Sequence, residues 1–356
     1  MKGRYYINGV GIVSPQRTFN NAEFLNEIMH YNDNVLHCVL PEFKEYINPI
    51  QLRRLSRMLR VGLSAAVICL RDSKEIAPSG IITGTGYGFL HETAKFLEEI
   101  YQYNEKQLTP TYFMQSTYNA LAGLVALTLK CKGYNNTHVN KGFAFETSLH
   151  DAMMHLTPDA SQTFLVGAFD ETDKAQFNIH SQIGYYKTET IDSLKLFEHK
   201  TTGTLQGEGA AFFSISGTPG ENVWCELADV KMIFCPEDDH SLATDVSEFL
   251  STNNITTDQV DVLVSGLSGD VKNDEKLKAV IETEFKHSVD VRFKHLSGEY
   301  CTASSFGCWV GASILKKQYI PDALRFNNAI ATNPKTMLII NQYMGRNYSF
   351  ILLKNK

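Results

Sequence analysis

Short apolar runs that read as buried strands alternate with segments of helical period from one end of the chain to the other, and this limits the fold to an α/β architecture. Residues 4–13 read as a strand with a tight glycine turn, 81–83 as a short buried strand, and 164–168 and 209–215 as two more. Between them, residues 52–72 carry Leu55, Met58, Leu59, Leu63, Ala66, Val67 and Leu70 at helical spacing. Gly62 falls on the same face and permits close packing there. Residues 90–101 and 145–156 read as further helices, and the almost wholly apolar 119–130 predicts a buried one. After a polar bridge at 216–222 the rhythm resumes. Helices are expected around 247–250, 274–285 and 308–315, and strands at 260–265, 289–293, 337–340 and 349–353. The expectation is substantially buried sheets in two similar halves, residues 1–215 and 223–356.

Composition narrows the function. The 356 residues are 43% hydrophobic and 20% charged, ordinary for a globular chain with one large domain or two halves. A net charge of −6 argues against nucleic acid or an anionic membrane surface as the main partner. The basic stretch of Arg53, Arg54, Arg57 and Arg60 reads as the polar face of a helix, or as a contact for an acidic partner protein. Seven cysteines, with no CxxC pair, argue against a disulfide framework or a zinc knuckle and for a reducing compartment. No apolar run reaches the roughly 18 residues needed to span a bilayer. The N-terminal residues run straight into a strand pattern rather than a signal-peptide pattern, so the expected location is the cytoplasm.

Six short motifs follow one another. They are Gly9-Val10-Gly11-Ile12-Val13-Ser14-Pro15, Thr83-Gly84-Thr85-Gly86-Tyr87-Gly88, Pro110 with Asn119, Ala122 and Gly123, Gly207-Glu208-Gly209-Ala210, the loop from Gly269 to Asp274, and Lys294 with Gly298. Each alone is a turn where glycine fits. In this order, over nearly the whole chain, they resemble the β-ketoacyl synthase branch of the thiolase fold. The resemblance implies a layered αβαβα fold. It also makes Lys294, Gly298, Gly207, Glu208, Gly209 and Asn119 retained motif residues.

That family uses a cysteine at a helix N-terminus, where the dipole favours thiolate, and two histidines that assist decarboxylation and stabilise an oxyanion. Here the segment 132–152 resembles the family's nucleophile elbow and the helix after it, and the cysteine position falls on Phe145 or, with a shift of three residues, on Gly142. Nothing from Lys141 to Phe145 is a nucleophile of this kind. The first histidine position falls on Gly266 and the second on Glu299. A carboxylate at the second repels a developing oxyanion. Losing a nucleophile alone costs on the order of 10⁶ in rate in a hydrolase, so condensation by this chain alone is not expected. Tyr343-Met344-Gly345-Arg346 stands where the family has a glycine-rich gate, with Arg346 a bulky cation at a place of close backbone approach.

Other residues carry competing readings. Cys301 is a candidate relocated nucleophile with His295 as base, or a buried apolar thiol. Phe145 is a plug in a vestigial pocket or an ordinary core residue. His150 and His155 are five apart and do not share a face for a metal. Asp170, Glu171 and Asp173 form an acidic loop with a poor ligand pattern, and no metal is expected. Tyr112, Phe113, Met114 and Gln115 lie where the resemblance places a dimer interface and the end of a partner's acyl tunnel, or form a hydrophobic segment that packs within its own subunit.

The resemblance implies a catalytically silent, chain length factor type subunit. Such a subunit forms a heterodimer with an active ketosynthase in polyketide, aryl polyene or fatty-acid-like chain extension. Acyl groups would arrive on the phosphopantetheine of an acyl carrier protein, so no cofactor of its own is expected. The rival readings are an acyl hydrolase or acyltransferase using Cys301, and a homodimeric module that binds acyl carrier proteins.

Overall fold

The computed structural model describes residues 3–75, 77–234 and 241–356. Cys235 lies outside them. Twelve strands are described: β1 Tyr6–Val13, β2 Val35–Leu36, β3 Gly80–Thr85, β4 Tyr134–Val139, β5 Thr163–Asp170, β6 Gln206–Gly207, β7 Gly209–Ser216, β8 Cys225–Phe234, β9 Val262–Gly266, β10 Val289–Arg292, β11 Thr336–Tyr343 and β12 Asn347–Lys354. The α-helices are α1 Pro49–Leu52, α2 Arg57–Ser73, α3 Leu90–Gln102, α4 Pro110–Ser116, α5 Ala120–Leu129, α6 Ala144–Leu156, α7 Lys174–Gln182, α8 Leu242–Thr252, α9 Glu275–Glu284, α10 Lys294–Ser297 and α11 Ser304–Lys317.

Ten strands join in the order β10-β9-β11-β12-β8-β1-β7-β5-β3-β4, with β2 and β6 paired separately. The sheet is two copies of one five-strand pattern. In the first, β3 runs parallel to β4 and β5, and β7 runs antiparallel to β5 and β1. In the second, β9 runs parallel to β10 and β11, and β12 runs antiparallel to β11 and β8. The two copies join edge to edge where Tyr6 and Ile7 of β1 pair with Glu226 and Cys225 of β8.

Three large apolar clusters define the layers. α2 and α5 cover one face of the first half-sheet through Met58, Leu63 and Leu121. α8 and α9 cover one face of the second through Val246, Phe249 and Leu277. The largest cluster lies between the half-sheets and takes in α6 and α11. The result is the five-layered αβαβα thiolase-like arrangement. Central α11 is buried from Ser304 to Leu315, as a helix between two sheets must be.

Three expectations are corrected. Residues 52–72 do not form one helix: the chain breaks after α1 and restarts at Arg57. The break turns Arg57 inward to Glu208, so the basic stretch is not the polar face of one helix. The apolar segment 119–130 is not wholly buried: only Leu121, Ala122 and Val125 of α5 are, while Leu127 is 76% exposed. α5 flanks the edge strand β4, and its Leu127 side faces outward. Gly62 does allow the close approach expected of it, since a Cβ there would meet Leu121 Cδ2 at 2.5 Å.

Candidate functional site

The elbow is built by β4, a 3-10 turn from Lys141 to Phe143, and α6. Of the two candidate positions, Gly142 faces the centre and Phe145 does not. Phe145 is fully buried in the core, its ring 5.3 Å from Phe213. A Cβ on Gly142 would lie 2.7 Å from Cβ of Tyr343. Tyr343, at the end of β11, is the side chain that lies against Gly142, while Phe145 packs in the core. The signal for it was in the sequence: Tyr343 opens the segment that stands in place of the glycine-rich gate. Arg346, singled out there, is exposed instead.

Tyr343 covers Cys301, whose Sγ donates to the Tyr343 hydroxyl at 3.3 Å. Burial pushes the Cys301 thiol well above its ordinary value, and the nearby Asp170 carboxylate adds to the shift. His295 is not placed as its base. Nε2 of His295 lies 2.9 Å from the Ala323 carbonyl oxygen, and the ring packs edge-on against Phe197 and Phe326. Burial pushes that imidazole down to about 4. A protonated, covered thiol without a base is a poor nucleophile.

Gly266 and Glu299, the residues that the resemblance aligns with the family's two histidines, are both closely contacted. Gly266 ends β9, where a Cβ would come within 2.4 Å of Asn341 Oδ1 and 2.8 Å of its Cα. Glu299 accepts a hydrogen bond from Lys294 Nζ at 2.6 Å, and the same ammonium donates to the Gln342 carbonyl at 2.6 Å. Burial raises the Glu299 carboxyl to about 7 against the opposing pull of Lys294. Its other oxygen, Oε1, has no partner in the structure.

The retained motif residues hold the frame. Gly298 and Gly207 meet so closely that a Cβ on Gly298 would lie 2.5 Å from Gly207 Cα. Buried Glu208 binds Arg57 through both oxygens and accepts from Cys38 N at 2.8 Å and Thr172 N at 3.1 Å. Burial works against its ionised form, yet hydrogen bonds from His37 and Arg57 hold it well below the usual carboxylate range. Gly209 begins β7. Asn119 is exposed at the N-cap of α5 and makes no capping bond with its side chain.

The acidic loop does not converge. Asp170 accepts from Thr85, Gly86 and Thr302, Glu171 from His91 N at 2.9 Å, and Asp173 caps α7. Asp170 thus ties the glycine-rich loop after β3 to the loop beside Cys301. His150 is exposed, while His155 lies 3.6 Å from Asp151.

On α4, Phe113 and Met114 point outward, Met114 being 67% exposed. Tyr112 lies under Lys95, 5.3 Å from its ammonium. Gln115 is fixed inside its own subunit: it accepts from Ser56 N at 2.7 Å and donates to the Arg54 carbonyl at 2.6 Å. Above the elbow a cleft of about 1210 Å³, lined in part by Lys141, Tyr343, Lys272 and Arg346, ends on Tyr343.

Residues 39–188 match the family described as β-ketoacyl synthase, N-terminal domain. No curated protein sequence matches the chain. Among solved structures, the ishigamide ketosynthase/chain length factor superposes with a TM-score of 0.79 at 15% identity, covering 100% of both chains. A β-ketoacyl synthase from Burkholderia phymatum STM815 gives 0.77 at 12% identity, covering 99% of this chain and 100% of that one. The ketosynthase ApeO in complex with its chain length factor ApeC, from Xenorhabdus doucetiae, gives 0.76 at 14% identity, covering 99% and 98%. These likenesses establish the ketosynthase-type fold.

Proposed function

We propose that this ketosynthase-like chain is a non-catalytic subunit of the chain length factor type, which pairs with an active ketosynthase during acyl chain extension. One observation supports the proposal: Gly142, Gly266 and Glu299, at positions that the resemblance aligns with the family's catalytic residues, are each closely contacted by neighbours. Tyr343 lies on Gly142, Asn341 lies on Gly266, and Lys294 is bound to Glu299. The cleft above the elbow is lined by Tyr343, and Cys301 behind it is buried.

Pairing is supported by the edge of the sheet. β4 bonds to β3 on one side only, and an unpaired edge is a template for another strand. Around it stand exposed Met114, Tyr118, Leu127 and Val139, the last 44% exposed. That apolar surface is of the kind that association buries. Two of the matched structures are named as a ketosynthase with a chain length factor. A further one is a type II polyketide acyl carrier protein in complex with its ketosynthase.

In this reading α4 presents Phe113 and Met114 to the partner's growing chain and limits its length, while Gln115 keeps the helix in place. The products are polyketide, aryl polyene or fatty-acid-like chains, delivered on a carrier protein's phosphopantetheine. No helix among the described residues is long and apolar enough to cross a membrane, and the proposed location is the cytoplasm.

The test is mild affinity purification of the tagged protein from its native host. A ketosynthase with an intact cysteine and two histidines is expected in equal amount. A homodimer without such a partner contradicts the proposal and returns attention to Cys301 or to a carrier-binding homodimer.

A further inference from the structure

The free edge of β4 is flanked by cations. Lys130 and Lys132 precede the strand and Lys141 follows it, all three exposed and without an ion pair among the described residues. Nearby carboxylates do not offset them. Asp151 is engaged by His138 at 2.8 Å and by the Tyr134 hydroxyl at 3.1 Å, with His155 at 3.6 Å. Glu146 is buried against Ser349. In a chain of net charge −6, residues 130–156 hold three lysines against two acids.

Two copies of this chain joined at β4 by a two-fold axis would pair their strands antiparallel. With the strand midpoints facing, Tyr134 stands opposite Val139, so the end of one strand that follows Lys130 and Lys132 meets the end of the other that precedes Lys141. The repulsion occurs at both ends, because the axis repeats it. Like charges directly across a strand pair oppose pairing, and opposite charges favour it.

We propose that this edge selects its partner by charge: the lysines at both ends of β4 oppose a second copy of this chain and accept a strand flanked by carboxylates. This rests on the silent-subunit reading and adds the chemistry of the ketosynthase edge it requires. Electrostatic complementarity at a rim sets partner choice in this way.

The experiment is a charge-swap cycle on the full chain, with self-association measured by sedimentation equilibrium at low salt. K132E or K141E alone turns both facing pairs attractive, and K132E/K141E makes them repulsive again. Each single variant is expected to self-associate about tenfold more tightly than the unaltered protein, and the double variant to revert. About 0.5 M salt is expected to shrink the differences. Equal self-association of all four proteins overturns the proposal, as does an unaltered protein that already dimerises as tightly as the single variants. Thermal unfolding of each variant checks that it is folded. The silent-subunit reading is tested separately, by the ketosynthase complex itself. If that complex forms and is indifferent to K132E and K141E, charge selection fails while the reading stands. If no such complex exists, the reading fails whatever the charge cycle shows.

Discussion

Lys294 Nζ lies 2.6 Å from Glu299 Oε2, and both side chains are buried. The ammonium of Lys294 is thereby bound to the carboxyl group at the position that the resemblance aligns with the family's second histidine. Breaking such a pair from one side leaves an uncompensated buried charge, which costs about 3–5 kcal/mol. Lys294→Met is therefore expected to lower unfolding free energy by up to about 3–5 kcal/mol above pH 7, where Glu299 is ionised, and by less in acid, where it holds a proton, measured by urea denaturation. The double variant K294M/E299Q is expected to recover most of the loss, because the two sites are coupled. Additive losses would mean that the pair does not act as a unit.

Stability should fall as pH rises from acid to neutral. Burial raises the carboxyls of Glu299 and Glu171 to about 7. The folded protein keeps protons that the unfolded chain has released, so this contribution is full below about pH 4.3 and is lost as pH approaches about 7. Melting temperature is expected to drop between about pH 5 and pH 7.5, with a shallower drop in E299Q. An equal slope in the two proteins would contradict the assignment.

Glu208 works in the opposite direction. Its ionised form is held by Arg57, His37 and backbone donors in spite of burial. Its contribution is present above the ordinary glutamate range and is lost as pH falls below it. Arg57→Met should destabilise the protein by about 2–3 kcal/mol at neutral pH, less than for a fully enclosed pair because Arg57 is partly exposed. The difference from the unaltered protein should narrow in acid. Denaturant titrations at two pH values measure both effects.

Tyr343 should control access to Cys301. In the unaltered protein a small alkylating reagent is expected to leave Cys301 unmodified until the protein unfolds. Tyr343→Ala removes the cover and the hydrogen bond, and is expected to cost about 3–5 kcal/mol, as large-to-small core changes do. Peptide mapping after iodoacetamide treatment should find Cys301 labelled in Y343A under native conditions. Equal labelling of both proteins would mean that Tyr343 is not the cover.

The layered α/β fold was legible in the sequence, because the strand–helix rhythm predicted the two half-sheets. What was not legible depends on where side chains go. The edge strand β4, with the sequence YNNTHV, is at best half-buried and lacks the apolar alternation by which a strand is read. β8 was missed because its buried residues are broken by half-buried polar ones. The partner of Glu299, the inward turn of Arg57 and the contact of Tyr343 with Gly142 are set by tertiary packing, which no local pattern encodes.

The most direct test of the central claim is a chain-extension assay on the reconstituted pair, with the ketosynthase partner's nucleophilic cysteine replaced by alanine. The account predicts that all turnover of acyl and malonyl carrier thioesters is lost, because this chain contributes no nucleophile. Residual turnover that disappears when Cys301 of this chain is changed to serine would contradict it.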